Sequence, residues 1–124
     1  MELISLDYSE IVDNQVTNKK LEFSSYLIKK QYKLESLFVS KVEGKSMQPK
    51  INDNALVVSD LSQNEFVNDS IFLVFYENKM WIKKSEIIDG KEYFISINPD
   101  YSHLVYKKDE VRIIAKVLLT FTNL

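Results

Sequence analysis

Apolar residues follow two regimes along this chain. In the first third they are sparse. "ELISL" at residues 2–6 reads as a strand, and the polar stretch "DYSEIVDNQVTNKK" at 7–20 reads as a loop or extended arm. "LEF" at 21–23 is a short strand candidate. "SSYLIKKQY" at 24–32 predicts one short helix, with Ser24 as its N-cap and Tyr26, Leu27 and Tyr32 turned toward a sheet. From residue 37 onward the pattern is β. "LFVSKV" at 37–42 and "ALVVS" at 55–59 are short strands of buried type. "SIFLVFY" at 70–76 and "KMWIKKSEII" at 79–88 form a hairpin around Glu77-Asn78. Asp89-Gly90 is a tight-turn pair leading into "KEYFISI", and "EVRIIAKVLLTF" at 110–121 is a last long strand. Pro49 and Pro99 fall in predicted loops, where a missing N–H does little harm. The expected architecture is mostly β: a compact domain of short, largely antiparallel strands with one small helix.

With 124 residues the chain suits one domain and one core. We expect a single domain over 1–124, with an N-terminal arm at 1–20 and the core at 21–124. The net charge of −2 is not the footprint of a protein that coats nucleic acid. A local basic cluster, Lys19, Lys20, Lys29, Lys30 and Lys33, reads as a solvated face. There is no cysteine, which removes disulfides, thiol catalysis and cysteine zinc sites and fits a reducing compartment. The single histidine, His103, rules out a multi-histidine metal site. No cofactor or metal is expected. The longest apolar run, "IFLVFY", is too short to span a bilayer, and the N-terminus lacks the pattern of a signal peptide. The expected location is the cytoplasm, away from any membrane.

One stretch stands apart. "EGKSMQPKI" at 43–51 sets Ser46 beside Gly44, one of two glycines in the chain, between two strand-like runs. A serine hydroxyl is a weak nucleophile until a base takes its proton. His103 lies in the polar segment "NPDYSHL" and reads as a surface loop residue. Carboxylates are poor bases for a hydroxyl near neutral pH. Lys83 and Lys84, in the apolar strand "MWIKKSEII", are the third option. A free lysine, with a pKa of about 10.4, is neutral at pH 7 in only about one molecule in a few thousand, and burial can lower that pKa by several units. Alternation alone does not choose between them. Trp81, Lys83, Ser85 and Ile87 share one face, and Met80, Ile82, Lys84, Glu86 and Ile88 the other. The competing structural reading makes both edge-strand lysines that guard against aggregation.

At this point the sequence resembles the LexA/UmuD family of serine–lysine self-cleaving peptidases, which includes phage repressor C-terminal domains. "VEGKSMQPKINDNALVVSD" is similar to the family's nucleophile segment, and "NDSIFLVFYENKMWIKKSEI" to the strand pair that carries its base. "INPDY" resembles the family's Asn-Pro-x-Tyr turn, and "RIIAKVLLTF" its last strand. The order and spacing of these segments over roughly 37–121 carry the resemblance. It implies Ser46 as nucleophile and Lys83 as base. Gly44, Met47 and Pro49 would shape the nucleophile segment, the backbone N–H groups of Lys45 and Ser46 would form an oxyanion hole, and Lys84 would face away. The sequence departs from the family at Lys45, where an acidic residue is common. A positive charge there should lower the pKa of Lys83. The turns "NDNA" at 52–55 and "NDS" at 68–70 lack the family's glycine. Neither Ala-Gly nor Cys-Gly, the usual self-cleavage dipeptides, occurs in the chain.

The resemblance implies the C-terminal auto-peptidase and dimerisation domain of a LexA-like or phage-type transcriptional repressor, acting in an SOS-type response. Such repressors bind DNA through a separate N-terminal domain, which the 45 residues before Ser46 cannot hold, so an excised domain is expected. The alternatives are a UmuD-like accessory subunit of a translesion polymerase, and a catalytically idle dimerisation or ligand-binding module. A signal-peptidase relative would need a membrane anchor. Expected partners are a second copy, joined through the C-terminal strand, and a RecA filament or an antirepressor. The dimer expectation rests on Ile114 and Leu118, apolar residues on the otherwise polar face of that strand. By position, the arm that should carry a scissile bond is "EIVDNQV" at 10–16. It offers Val12-Asp13 and Asp13-Asn14, bulky and charged, so no self-cleavage there is expected.

Overall fold

The computed structural model describes residues 2–124; about half of the chain lies in strands, all paired antiparallel. Three two-residue turns organise it. Asp13-Asn14, Glu77-Asn78 and Asp89-Gly90 have positive φ at both positions. That left-handed pair matches the twist of the strands it joins, and Asn, Asp and Gly tolerate it best. The first turn closes a hairpin of β1 (Leu3–Val12) and β2 (Gln15–Ser24), paired from Leu3 opposite Ser24 to Val12 opposite Gln15. The stretch expected as a loop or arm is therefore regular strand, and β2 runs unbroken through residue 20. Ile4, Leu6 and Tyr8 alternate inward along β1, while the other face carries Ser5, Asp7 and Ser9 between exposed Leu3 and Ile11.

The predicted helix shrinks to one 3-10 turn, Ser25–Leu27. Ser24 does cap it, its Oγ accepting from Tyr26 N at 3.2 Å. The helix does not continue because tertiary contacts draw the chain away. Ile28 is buried in an extended conformation, and the Lys33 N–H donates to Asp60 Oδ2 at 2.9 Å.

Seven strands form the second sheet: β3 (Leu37–Lys41), β4 (Leu56–Asp60), β5 (Ile71–Tyr76), β6 (Lys79–Ile88), β7 (Lys91–Ile95), β8 (Tyr106–Lys107) and β9 (Arg112–Phe121), in the order β3-β4-β9-β5-β6-β7-β8. β9 is its joint. It pairs with β5 from Arg112 to Lys116 and with β4 from Lys116 to Phe121, and both ladders shift register through bulges. Three apolar clusters fill the interior. One ties the base of the β1–β2 hairpin to the sheet through Ile4, Phe23, Ile28, Leu37 and Val58; another holds Val42, Met47, Ile51, Ala55 and Val57. The third packs Phe72, Val74 and Phe94. Leu118 packs on the first cluster, so its place on β9 is explained within one chain, whereas Ile114 joins none of the three. No helix among the described residues is long and apolar enough to cross a membrane.

Candidate active site

The loop after β3 is closed at its base by Val42 N donating to Ala55 O and Asn54 N donating to Val42 O. Inside it, Gly44 takes a φ of +102° and its N–H donates to Asp53 Oδ1 at 2.9 Å. A side chain at that φ would be strained, which is why glycine is needed there. Met47, 2 % exposed, sinks into the second cluster and anchors the loop. Two tight backbone bonds, Gln48 N to Lys45 O and Ile51 N to Met47 O, fold the segment around exposed Pro49, which follows a cis peptide. The loop holds Ser46 half-buried beside a cavity of about 300 Å³, lined in part by Gly44, Met47, Met80, Trp81 and Ile82. Neither the Lys45 nor the Ser46 N–H donates to a protein acceptor among the described residues.

Lys83 lies on β6 with its side chain turned inward alongside that of Ser85, at 1 % exposure. Phe72 faces it from β5. Its Nζ lies 5.6 Å from the Trp81 ring centroid and 5.8 Å from that of Tyr106. Burial among these groups lowers its pKa to about 8, because the charged form loses water. Lys84 points the other way and ion-pairs with Asp69 at 3.3 Å and Glu86 at 3.7 Å. His103 is exposed on the loop before β8.

Ser46 and Lys83 are linked through the segment that follows β7. Asn98 donates from its backbone N to Ser46 O at 2.9 Å and from Nδ2 to Lys45 O at 2.8 Å. Two residues earlier, Ser96 Oγ accepts from Lys83 Nζ at 2.8 Å. The bond made by Lys83 is to Ser96, and no hydrogen bond joins Lys83 to Ser46 in this structure. Sequence reasoning singled out Ser46 and Lys83 and did not notice Ser96 or Asn98. The signal for Asn98 was its place in "INPDY"; the signal for Ser96 was strand register alone.

Chemically, the site offers a hydroxyl on a well-anchored loop, a buried amine that discharges near neutral pH, free backbone donors beside the hydroxyl and an adjoining cleft. No curated protein matches this chain. The sequence matches the family described as Peptidase S24-like across residues 4–118, a span that takes in the hairpin, Ser46, Lys83 and most of β9. With this match, the chain belongs to the Peptidase S24-like family, the family of LexA and UmuD type.

Proposed function

We propose that this chain is a Ser–Lys peptidase domain, the auto-peptidase and dimerisation module of a LexA-like or phage-type repressor, with Ser46 as nucleophile and Lys83 as general base. The observation that carries this reading is the burial of Lys83 on β6, the strand whose Trp81 and Ile82 line the cavity beside Ser46. A pKa of about 8 leaves about one molecule in ten neutral at pH 7, some hundreds of times more than for a free lysine. Neutral Lys83 takes the proton of Ser46 Oγ as that oxygen attacks the peptide carbonyl carbon. The Lys45 and Ser46 N–H groups receive the developing oxyanion. The lysine ammonium then protonates the leaving amine as the C–N bond breaks, which leaves an ester on Ser46. Water, deprotonated by the same amine, cleaves the ester and restores the hydroxyl.

The cleft favours an extended substrate. β7 pairs with β6 only from Lys84 onward, so residues 79–83 of β6 have β5 on one side and no strand on the other. A peptide strand can add there, beside Ser46. The 10–16 segment is a poor substrate as it stands, because Asp13-Asn14 is a closed hairpin turn with both φ values positive. The test is therefore made in trans. A peptide carrying an Ala-Gly bond is incubated with the chain at about pH 9.5, above the Lys83 pKa. We expect fragments cut at that bond, lost in Ser46→Ala and in Lys83→Ala, while the intact mass of the chain stays unchanged. Absence of hydrolysis, or hydrolysis that survives Ser46→Ala, would favour the idle module. The bond from Lys83 to Ser96 in place of Ser46 is the observation on that module's side.

Dimerisation belongs to the same proposal. Each edge of β9 is paired for only about half its length, β5 on one edge over 112–116 and β4 on the other over 116–121, and Ile114 is half-buried outside all three clusters. A second copy pairing along β9 about a two-fold axis would cover it. Sedimentation should show a dimer that Ile114→Glu dissociates; a monomer at high concentration would refute it.

A further inference from the structure

We propose that Ser96 is a positioning residue for Lys83: its hydroxyl, placed opposite Lys83 by the β6–β7 register, holds the amine so that the lone pair of its neutral form is aimed at Ser46. This inference rests on the reading of Lys83 as the base of Ser46. The register is explicit. Lys84 pairs with Ile95 across the hairpin closed by Asp89-Gly90, and one step further brings Lys83 opposite Ser96. Their side chains therefore emerge on the same face, and the 2.8 Å bond from Lys83 Nζ to Ser96 Oγ follows.

A lysine needs such a guide. Its side chain has four rotatable bonds, and the attraction of the Trp81 and Tyr106 rings does not fix the direction of an N–H. Ser96 is the one directional partner of Nζ among the described residues. A neutral amine has two N–H bonds and one lone pair. When one N–H is tied to Ser96, rotation about Cε–Nζ is restricted, and the lone pair is confined to the directions that remain.

The same short segment fixes the target. Asn98, two residues beyond Ser96, holds the backbone carbonyls of Ser46 and Lys45. Cα atoms two residues apart are at most about 7 Å from each other. The anchor of the base and the anchor of the nucleophile loop are thus separated by one short piece of chain. Elsewhere around Lys83, Phe72 faces it from β5, Trp81 lies on its own strand, and Tyr106 on β8 is the titratable side chain against it. No carboxylate pairs with it among the described residues.

The role has a two-part signature. The Ser96 oxygen accepts more strongly from the ammonium than from the amine, so its removal lowers the Lys83 pKa further. By itself a lower pKa would raise activity at neutral pH. Loss of aim instead lowers the rate on the alkaline plateau, where every Lys83 is already neutral.

The experiment titrates Lys83 in the full chain by NMR of labelled lysine side chains, assigned by the signal lost in Lys83→Ala. It is run on wild type, Ser96→Ala, Ser96→Thr and Ser96→Val, with the pH–rate profile of Ala-Gly peptide hydrolysis beside it. Threonine and valine share a shape and differ in the hydroxyl, so this pair keeps the test decisive should the alanine variant fold poorly. We expect Ser96→Ala and Ser96→Val to lower the Lys83 pKa by at least about half a unit. They should also reduce the plateau rate about tenfold or more. Ser96→Thr should restore both. Equal pKa values and equal plateau rates for the threonine and valine variants would overturn the proposal. The parent reading fails separately, if the wild-type Lys83 signal titrates near 10.4 rather than near 8, or if hydrolysis does not depend on Ser46.

Discussion

Asp60 and Lys83 are both withdrawn from water, at 0 % and 1 % exposure, and the protein treats the two charges in opposite ways. Asp60, at the end of β4, accepts from Lys33 N, Ser62 N, Ser62 Oγ and Gln63 Nε2. Burial alone would raise its pKa, but these donors outweigh it and hold the carboxyl below its usual range. Lys83 has a single hydrogen bond, to a neutral hydroxyl, and no countercharge among the described residues. Burial therefore wins, and its pKa falls to about 8. A buried charge that is fully bonded is a structural clamp; here Asp60 pins the 31–33 segment to the sheet. A buried charge left nearly unbonded is ready to give up its proton. That readiness is what a base needs, and it costs stability.

Replacing the two residues should consequently shift stability in opposite directions. The largest effect is expected from Lys83→Met. Peptide hydrolysis should fall at least about a thousandfold. Stability at pH 7 should nevertheless rise by about 1–2 kcal/mol, the relief from burying a charge less the lost bond to Ser96. The sign follows from linkage. The folded pKa of about 8 lies below the unfolded value of about 10.4, so the penalty is full below pH 8 and fades as pH rises through that window. Urea midpoints at pH 7 and near pH 10 should show the advantage of the variant shrinking, and an unchanged difference would break the comparison.

Asp60→Asn should act the other way, with a loss of about 2–4 kcal/mol, because an amide N–H₂ would face donors that need an acceptor. A lowered carboxyl pKa gives stability that is present above the unfolded value of about 3.9 and is lost as pH falls through the folded pKa. Wild type and variant should therefore converge in urea unfolding as pH falls through the folded pKa of Asp60.

Ser59 sharpens the contrast. Its Oγ is buried with no hydrogen-bond partner among the described residues. Ser59→Ala should gain about 0.5 kcal/mol by thermal unfolding, and a loss of more than about 1 kcal/mol would mean that a partner exists. The smallest effect concerns Lys45. It is exposed, and desolvation alone accounts for the shift of Lys83. Lys45→Asp should raise the pKa seen in the pH–rate profile by only about 0.3 units, an effect that salt removes.

Much of this contrast was open to sequence reasoning, and the exceptions have physical causes. The β5–β6 and β6–β7 hairpins followed from Glu77-Asn78 and Asp89-Gly90, since a two-residue turn fixes strand register. The same register, counted back from Asp89-Gly90, sets Ser96 opposite Lys83. Serine has no periodicity to draw notice, so the pair went unread. The β1–β2 hairpin was hidden because Asp13-Asn14 is an uncommon turn pair and the middle of the outer face of β1, Ser5, Asp7 and Ser9, is polar. The helix at 24–32 was a sound local reading. It yielded to burial of Ile28 and to the hold of Asp60 on Lys33, contacts with residues far along the chain. The role of Asp60 was not read, because Ser62 and Gln63 lie next to it as an ordinary turn would place them, while the partner that makes it a clamp, Lys33 N, is 27 residues away.

The pH dependence of Ser46-dependent hydrolysis tests the central claim most directly. If Lys83 is the base, the rate on an Ala-Gly peptide rises along one limb with its midpoint near pH 8, reaches a plateau, and is absent in Lys83→Met. A limb centred near 10.4, or a profile that persists in Lys83→Met, would contradict it.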